Sequence, residues 1–331
     1  MKRRDFLKLG AVATAAGAFG TTSTFAQTKM VFKATDVHPL GYPTVEAVER
    51  MGKKLEAASG GRLSIQMFPA MQLGGEKEMI EQAQVGALQI ARISVGPMGP
   101  LVPEFNVFNL PFIFRDGAHM EKVIDGPIGD ELLKKLSDHP TAGLIGLCYM
   151  NAGVRNVYNS KKPIEKVEDL KGLKIRMMGN PLFVDTMNAM GGNGIAMGYG
   201  EVFSAIQTGV IDGAENNPPS LYTANHFKAG ARYYTQTNHL IIPEILVMSK
   251  VAWDKLSPAD QAQVKKAARE AQLEQRQLWD AAVADYTAKL KAEGVEFIEM
   301  DNKAFYDATA PVRAKYGANF ADLMKRIADV K

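Results

Sequence analysis

Residues 173–219 read LKIRMMGNPLFVDTMNAMGGNGIAMGYGEVFSAIQTGVIDGAENNPP. Arg176 stands in the middle of an apolar, strand-like run, and an aromatic (Tyr199) and two amides (Asn216 and Asn217) follow where later turns and strands end. A guanidinium buried alone is expensive, so Arg176 needs a partner, and a carboxylate suits it best. No acid close in sequence is a compelling mate, so the carboxylate belongs either to a distant part of the protein or to a ligand. The same stretch alternates elements: a strand at LKIRMM, a helix from Pro181 that stops at Gly191 and Gly192, a short strand at IAM, and a helix over Glu201–Thr208.

Working upstream, the alternation continues. VFKATDV is a β-type run and HPLGYP a turn. Thr44 can cap a helix whose apolar residues Val45, Val48, Met51 and Leu55 recur at helical spacing. LSIQMFP is a strand, 76–85 a helix, and LQIARIS (88–94) a buried strand. This pattern predicts an α/β fold with mainly parallel pairing, in which ligands collect beyond the carboxyl ends of strands. Three residues occupy such ends: His38, Arg92 and Ser94. His38 could instead serve its turn, and Arg92 could pair with an internal acid. The aromatic stretch Glu104–Asp116 reads as packing between domains.

Two long apolar strands, TAGLIGLCYM (141–150) and HLIIPEILVMS (239–249), mark where the chain crosses into a second domain and back, with Arg155 just past the first crossing. Ser257 followed by Pro258 starts a helix with no Gly or Pro until Gly294. At about 36 residues and roughly 54 Å, it exceeds one domain and should brace both.

The first 26 residues combine a basic start (Arg3, Arg4), an Ala/Gly-rich apolar segment and a small-residue end, a pattern of export by the twin-arginine route with cleavage after Ala26. That segment carries Lys2, Arg3, Arg4 and Lys8 against Asp5, which accounts for the +3 of the whole chain. The mature protein is therefore near neutral, and a general nucleic-acid surface is excluded. Cys148 is the single cysteine, so no internal disulfide forms. The roughly 305 remaining residues exceed what one core organises, and two domains are expected.

Catalytic patterns are missing. The five histidines show no HExxH, GGNGIAMG lacks dinucleotide spacing, and there is no GxxxxGK[ST] or GxSxG. What stands out is three arginines inside apolar strands, Arg92, Arg155 and Arg176. A planar guanidinium matches a carboxylate in two parallel hydrogen bonds and stays charged when partly buried. These residues describe a pocket for a small organic anion between two α/β lobes.

Four segments in order, QLGGEKEMIEQAQVGAL, GVRNVYNSKKPI, EDLKGLKIRMM and GEVFSAIQTGVIDGAENNP, resemble the DctP-type periplasmic solute receptors of TRAP (tripartite ATP-independent periplasmic) transporters. The resemblance covers nearly the whole mature chain. It implies a two-lobed periplasmic-binding-protein-like fold: lobe I over 27–152 and about 241–281, lobe II over 153–240 and about 282–331, each a mixed, mainly parallel sheet flanked by helices. It also implies that Arg176 pairs with a ligand carboxylate, that Arg155 adds a second contact, that Asn216 binds, and that Tyr199 packs on the ligand. Implied partners are a small organic carboxylate and the small and large membrane permease subunits, to which a monomer delivers its ligand. No metal or cofactor is expected. Sialic-acid receptors of the family often carry a glutamate where this chain has Ser94. If Arg92 also faces inward, three arginines would favour a second carboxylate or a heavily oxygenated acid, so dicarboxylates and uronates both stay open. An exported enzyme, or a partner presenting ligand to a membrane kinase, are the rival readings.

Overall fold

Two short passages between strands set the architecture. The computed structural model describes residues 29–331, so the export signal lies outside the described residues. Its strands are β1 (Met30–Thr35), β2 (Leu63–Phe68), β3 (Ile90–Ser94), β4 (Leu144–Met150), β5 (Val154–Asn159), β6 (Lys174–Met177), β7 (Asn193–Ala196), β8 (Gly213–Asn216), β9 (Tyr233–Ile241), β10 (Glu244–Ser249) and β11 (Glu296–Ile298). One sheet has the order β2-β1-β3-β10-β4 and the other β11-β9-β5-β8-β6-β7. The chain passes from β4 to β5 through residues 151–153 and returns from β9 to β10 through 242–243.

The run 239–249, expected as one strand, is thus two strands in different sheets. Pro243 has no N–H for a ladder, so pairing stops there and resumes with new partners. At the first passage Gly153 adopts φ +63°, and a Cβ on it would come within 2.9 Å of Trp279 Nε1. Both sheets are mixed. β1 pairs parallel with β2 and β3, while β10 runs antiparallel to β3 and β4. In the second sheet β6 is parallel to β7 and β8, and β11 to β9, whereas β5 opposes both of its neighbours. The returning strands are what reduce the parallel majority.

The long helix spans Pro258–Ala292, 35 residues, with Ser257 Oγ accepting from Asp260 N at 3.1 Å and Pro258 in the first turn. Such a cap contributes about 1 kcal/mol. Its buried face covers the β4 edge, where it completes hydrogen bonds that an edge strand would leave open. Gln272 Oε1 accepts from Tyr149 N at 3.2 Å, and Gln275 both accepts from Asn151 N and donates to Asn151 O, each at 2.8 Å. Farther along, Leu290 packs with Tyr234 and Phe227 of the second sheet's core. The helix therefore bears on both sheets.

The C-terminal segment holds elements that periodicity did not reveal: β11 and helices over 303–308, 310–317 and 321–329. Lys315 and Tyr316 bind Asp185 on the second sheet's flank at 2.7 and 2.8 Å. Arg326 binds Glu131 at 2.7 Å and Ile327 O meets His119 Nε2 at 2.9 Å, both on the first sheet's flank. The tail expected in the second lobe thus touches both. Phe105, Phe108 and Phe114 are buried in the largest apolar cluster, which draws residues from both sheets. No helix among the described residues is long and apolar enough to cross a membrane.

Candidate functional site

All seven residues singled out in the sequence, His38, Arg92, Ser94, Arg155, Arg176, Tyr199 and Asn216, line one cavity. Asp36 and His38 follow β1, Arg92 and Ser94 close β3, and Glu244 opens β10 directly opposite Ser94. Arg155 on β5, Arg176 on β6 and Asn216 at the end of β8 come from the other sheet. Residues 210–212 form a bend, and the strand that carries Asn216 is GAEN.

The three arginines differ in what holds them. Arg92, 1% exposed, donates through Nη1 to Glu76 Oε1 at 2.8 Å and to Glu244 Oε2 at 2.7 Å, and through Nη2 to Asp36. It does face the cavity, but three carboxylates already neutralise it. That removes the argument for a second ligand carboxylate.

Arg155 is held by Glu215, which accepts from Nε at 2.5 Å and from Nη2 at 2.8 Å, while Asn216 Oδ1 accepts from Nη1 at 3.0 Å. Nη2 also donates to Glu215 O at 2.8 Å, so four of its five N–H groups are committed. The second ligand contact implied for Arg155 has one N–H left to make it.

Arg176 is 4% exposed, and among the described residues its one hydrogen bond is from Nε to Met197 O at 2.9 Å. No acid lies within ion-pair distance of it among these residues. Burial lowers its pKa, Glu215 partly offsets this, and Arg155 adds repulsion. Its guanidinium sits 5.8 Å from the Tyr199 ring centroid. A planar cation with both terminal nitrogens free, walled by an aromatic, can make two-point contact with a carboxylate.

Other groups are left unsatisfied. His38 Nδ1, Ser94 Oγ and Tyr199 OH are buried without hydrogen-bond partners. His38 stacks on Tyr42 with centroids 3.7 Å apart and is held neutral, its pKa lowered to about 3 by burial and then by Arg92. Burial likewise raises Tyr199 to about 12, so it keeps its hydroxyl proton. Burial works to raise Asp36, but Arg92 and the 2.6 Å bond from Thr44 outweigh it and hold the carboxyl below its usual range. Glu244 goes the other way: burial pushes it up to about 7 despite Arg92, with Glu76 and Asp36 adding repulsion. Asn217 is structural, capping the helix 218–223 through Ser220 N at 2.8 Å.

Glu76, Glu215 and Glu244 escaped the sequence reading. For Glu244 a signal existed, since it is a lone acid in an apolar run, as Arg176 is a lone base. No cluster of His, Cys, Asp or Glu suited to a metal ion occurs among the described residues.

Known proteins place this geometry. A TRAP periplasmic solute-binding protein from Pseudomonas putida F1, solved with bound D-glucuronate, is 60% identical, with TM-score 0.89, covering 91% of this chain and 98% of that one. One from Bradyrhizobium, in complex with D-galacturonate, is 46% identical with TM-score 0.88, covering 91% and 100%. One from Citrobacter koseri has been solved in two states. With bound D-glucuronate it is 51% identical, TM-score 0.89, covering 91% and 100%; as an apo, open structure it is 50% identical, TM-score 0.80, covering 90% and 98%. The present structure is nearer the occupied state. Residues 1–20 match a twin-arginine translocation signal, in keeping with a periplasmic location. Residues 34–319 match the model of bacterial extracellular solute-binding protein family 7, DctP, and the chain belongs to that family.

Proposed function

We propose that this protein is the uronate receptor of a TRAP transporter, carrying a hexuronate to the small and large membrane permease subunits without altering it. The observation that carries this reading is Arg176, the one strand arginine whose charge no protein carboxylate answers among the described residues. One unanswered cation calls for one carboxylate, and a uronate has one, whereas a dicarboxylate would bring two. The unpartnered Ser94, His38 and Tyr199 groups suit the hydroxyls of a sugar ring. The uronates bound by the related proteins favour the same class.

Two lobes closing on the ligand follow from the passages at 151–153 and 242–243, with lobe I over 27–152 and about 241–281, lobe II over 153–240 and about 282–331, and the C-terminal tail reaching across. Ligand is held on Arg176, with Arg155 and Asn216 beside it and Tyr199 as a wall. The test is titration calorimetry of the mature protein with D-glucuronate, D-galacturonate, succinate and D-glucose. A uronate is expected to bind with a dissociation constant of about 1 μM or below, near −8 kcal/mol, and succinate and glucose at least 100-fold more weakly. Tight succinate binding with no uronate binding would overturn the reading.

A further inference from the structure

The two walls of the cavity differ in electrical character. The wall from the second sheet carries Arg155 matched by Glu215, and Arg176 unmatched. The wall from the first sheet carries one cation, Arg92, against three carboxylates. Asp36 has both oxygens engaged, by Arg92 and His38 N on one and by Thr44 on the other. Glu76 and Glu244 each meet Arg92 through one oxygen, and among the described residues Glu76 Oε2 and Glu244 Oε1 receive no hydrogen bond. Beside them Ser94 Oγ, on a residue 3% exposed, also lacks a partner, as does His38 Nδ1.

Resting on the uronate reading above, we propose that Glu76 and Glu244, anchored on Arg92, form a specificity wall that accepts the ligand's hydroxyl groups and turns away a second carboxylate. An ionised carboxylate only accepts hydrogen bonds and so selects donors, while Glu244, whose proton burial holds up to about 7, can also donate in its protonated fraction; a sugar hydroxyl answers either form. A second ligand carboxylate would bring a fourth acid to one guanidinium, and like charges set together in a site of low dielectric repel strongly. His38, held neutral, supplies no cation to relieve this. Ser94 contributes a hydroxyl that can turn to donate or accept, which fits it to the same hydroxyl pattern. The cavity is thus polarised: carboxylate end on Arg176, polyhydroxyl end on the glutamates.

Calorimetry with D-glucuronate and with D-glucarate, which has a carboxylate at each end, tests this on the wild type and on Glu76→Gln and Glu244→Gln separately. Each variant keeps the side-chain shape and leaves two acids on Arg92, so if one fails to fold the other carries the test. The wild type is expected to prefer glucuronate at least 100-fold. At least one variant should narrow that ratio tenfold or more, through a gain in glucarate affinity. A ratio that narrows less than tenfold in every folded variant, while the wild type binds glucuronate, overturns this inference alone. A wild type that binds no uronate overturns the parent reading and this one with it.

Discussion

Glu215 holds Arg155 at two points, Nε to Oε2 at 2.5 Å and Nη2 to Oε1 at 2.8 Å, with both side chains almost fully buried. His239 Nε2 lies 3.8 Å from the same carboxylate, but burial lowers its pKa to about 4, so Arg155 alone balances the charge at neutral pH. Removing the acid strands a buried guanidinium. Glu215→Ala is expected to cost about 3–5 kcal/mol of stability, measured by urea unfolding without ligand. A loss under about 1 kcal/mol would show that water or a shifted side chain takes over the pairing.

Arg176 sets stability against function. Its burial is uncompensated, so Arg176→Met, which keeps the apolar stem, should raise the melting temperature of the empty protein while abolishing the shift that glucuronate induces. Arg176→Ala should weaken binding by about 2–5 kcal/mol, roughly 30-fold or more. Arg176→Lys should also bind poorly, because an ammonium cannot reproduce a two-point contact. Near-wild-type affinity in the lysine variant would reduce the arginine to a point charge.

What the sequence disclosed, and what it hid, follows from range. A charged residue inside an apolar run is visible locally, which is why Arg92, Arg155 and Arg176 stood out, and a Ser-Pro start with no Gly or Pro before Gly294 outlined the helix 258–292. Partners are not local. Arg155 and Glu215 stand 60 residues apart and meet only through the β5–β8 pairing, in which Val157 lies opposite Glu215. Arg92 and Glu244 are 152 residues apart, joined by the antiparallel β3–β10 register. Hence the arginines were legible and their acids were not, so the expected cluster of three cations became one. The division of 239–249 by Pro243 was readable from the missing N–H, but the apolar run around it concealed the change of sheet.

Glu244 gives the fold a pH signature. Burial holds its proton up to about 7 in the folded protein, against 4.5 for an ordinary glutamate, so the folded state binds the extra proton between those values. Stability from this group is therefore greatest at low pH and declines as pH rises from about 4.5 to 7. Asp36, depressed below 3.8, acts in the opposite sense at lower pH, and the buried neutral His38, His226 and His239, lowered from 6.5 to about 3, 3 and 4, oppose Glu244 within the window by adding stability as pH rises toward 6.5. Relative to the wild type, Glu244→Gln should gain stability between pH 5 and pH 8, measured as the difference in urea midpoints, because the histidine contributions are common to both proteins. Parallel curves for the two proteins would assign the pH response elsewhere.

Asn180 separates capping from closure within one side chain. Its Oδ1 caps the helix 181–189 by accepting from Leu182 N at 3.0 Å, while Nδ2 reaches the other sheet's side, to Gly96 O at 3.0 Å and Asn106 Oδ1 at 2.9 Å. Aspartate caps as well as asparagine but cannot donate, and it would face two acceptors. Asn180→Asp should therefore leave the empty protein's melting temperature nearly unchanged and cost about 1–3 kcal/mol of glucuronate binding, chiefly as faster release. Asn180→Ala loses both roles, so its empty form should melt lower by the value of a cap, about 1 kcal/mol. The two variants share the loss of the cross-sheet bonds and differ in the cap and in the repulsion that the aspartate adds, so weakened binding common to both reports on the bonds themselves. Unchanged release in Asn180→Asp, by stopped-flow with excess competing ligand, would mean these bonds do not hold the closed state.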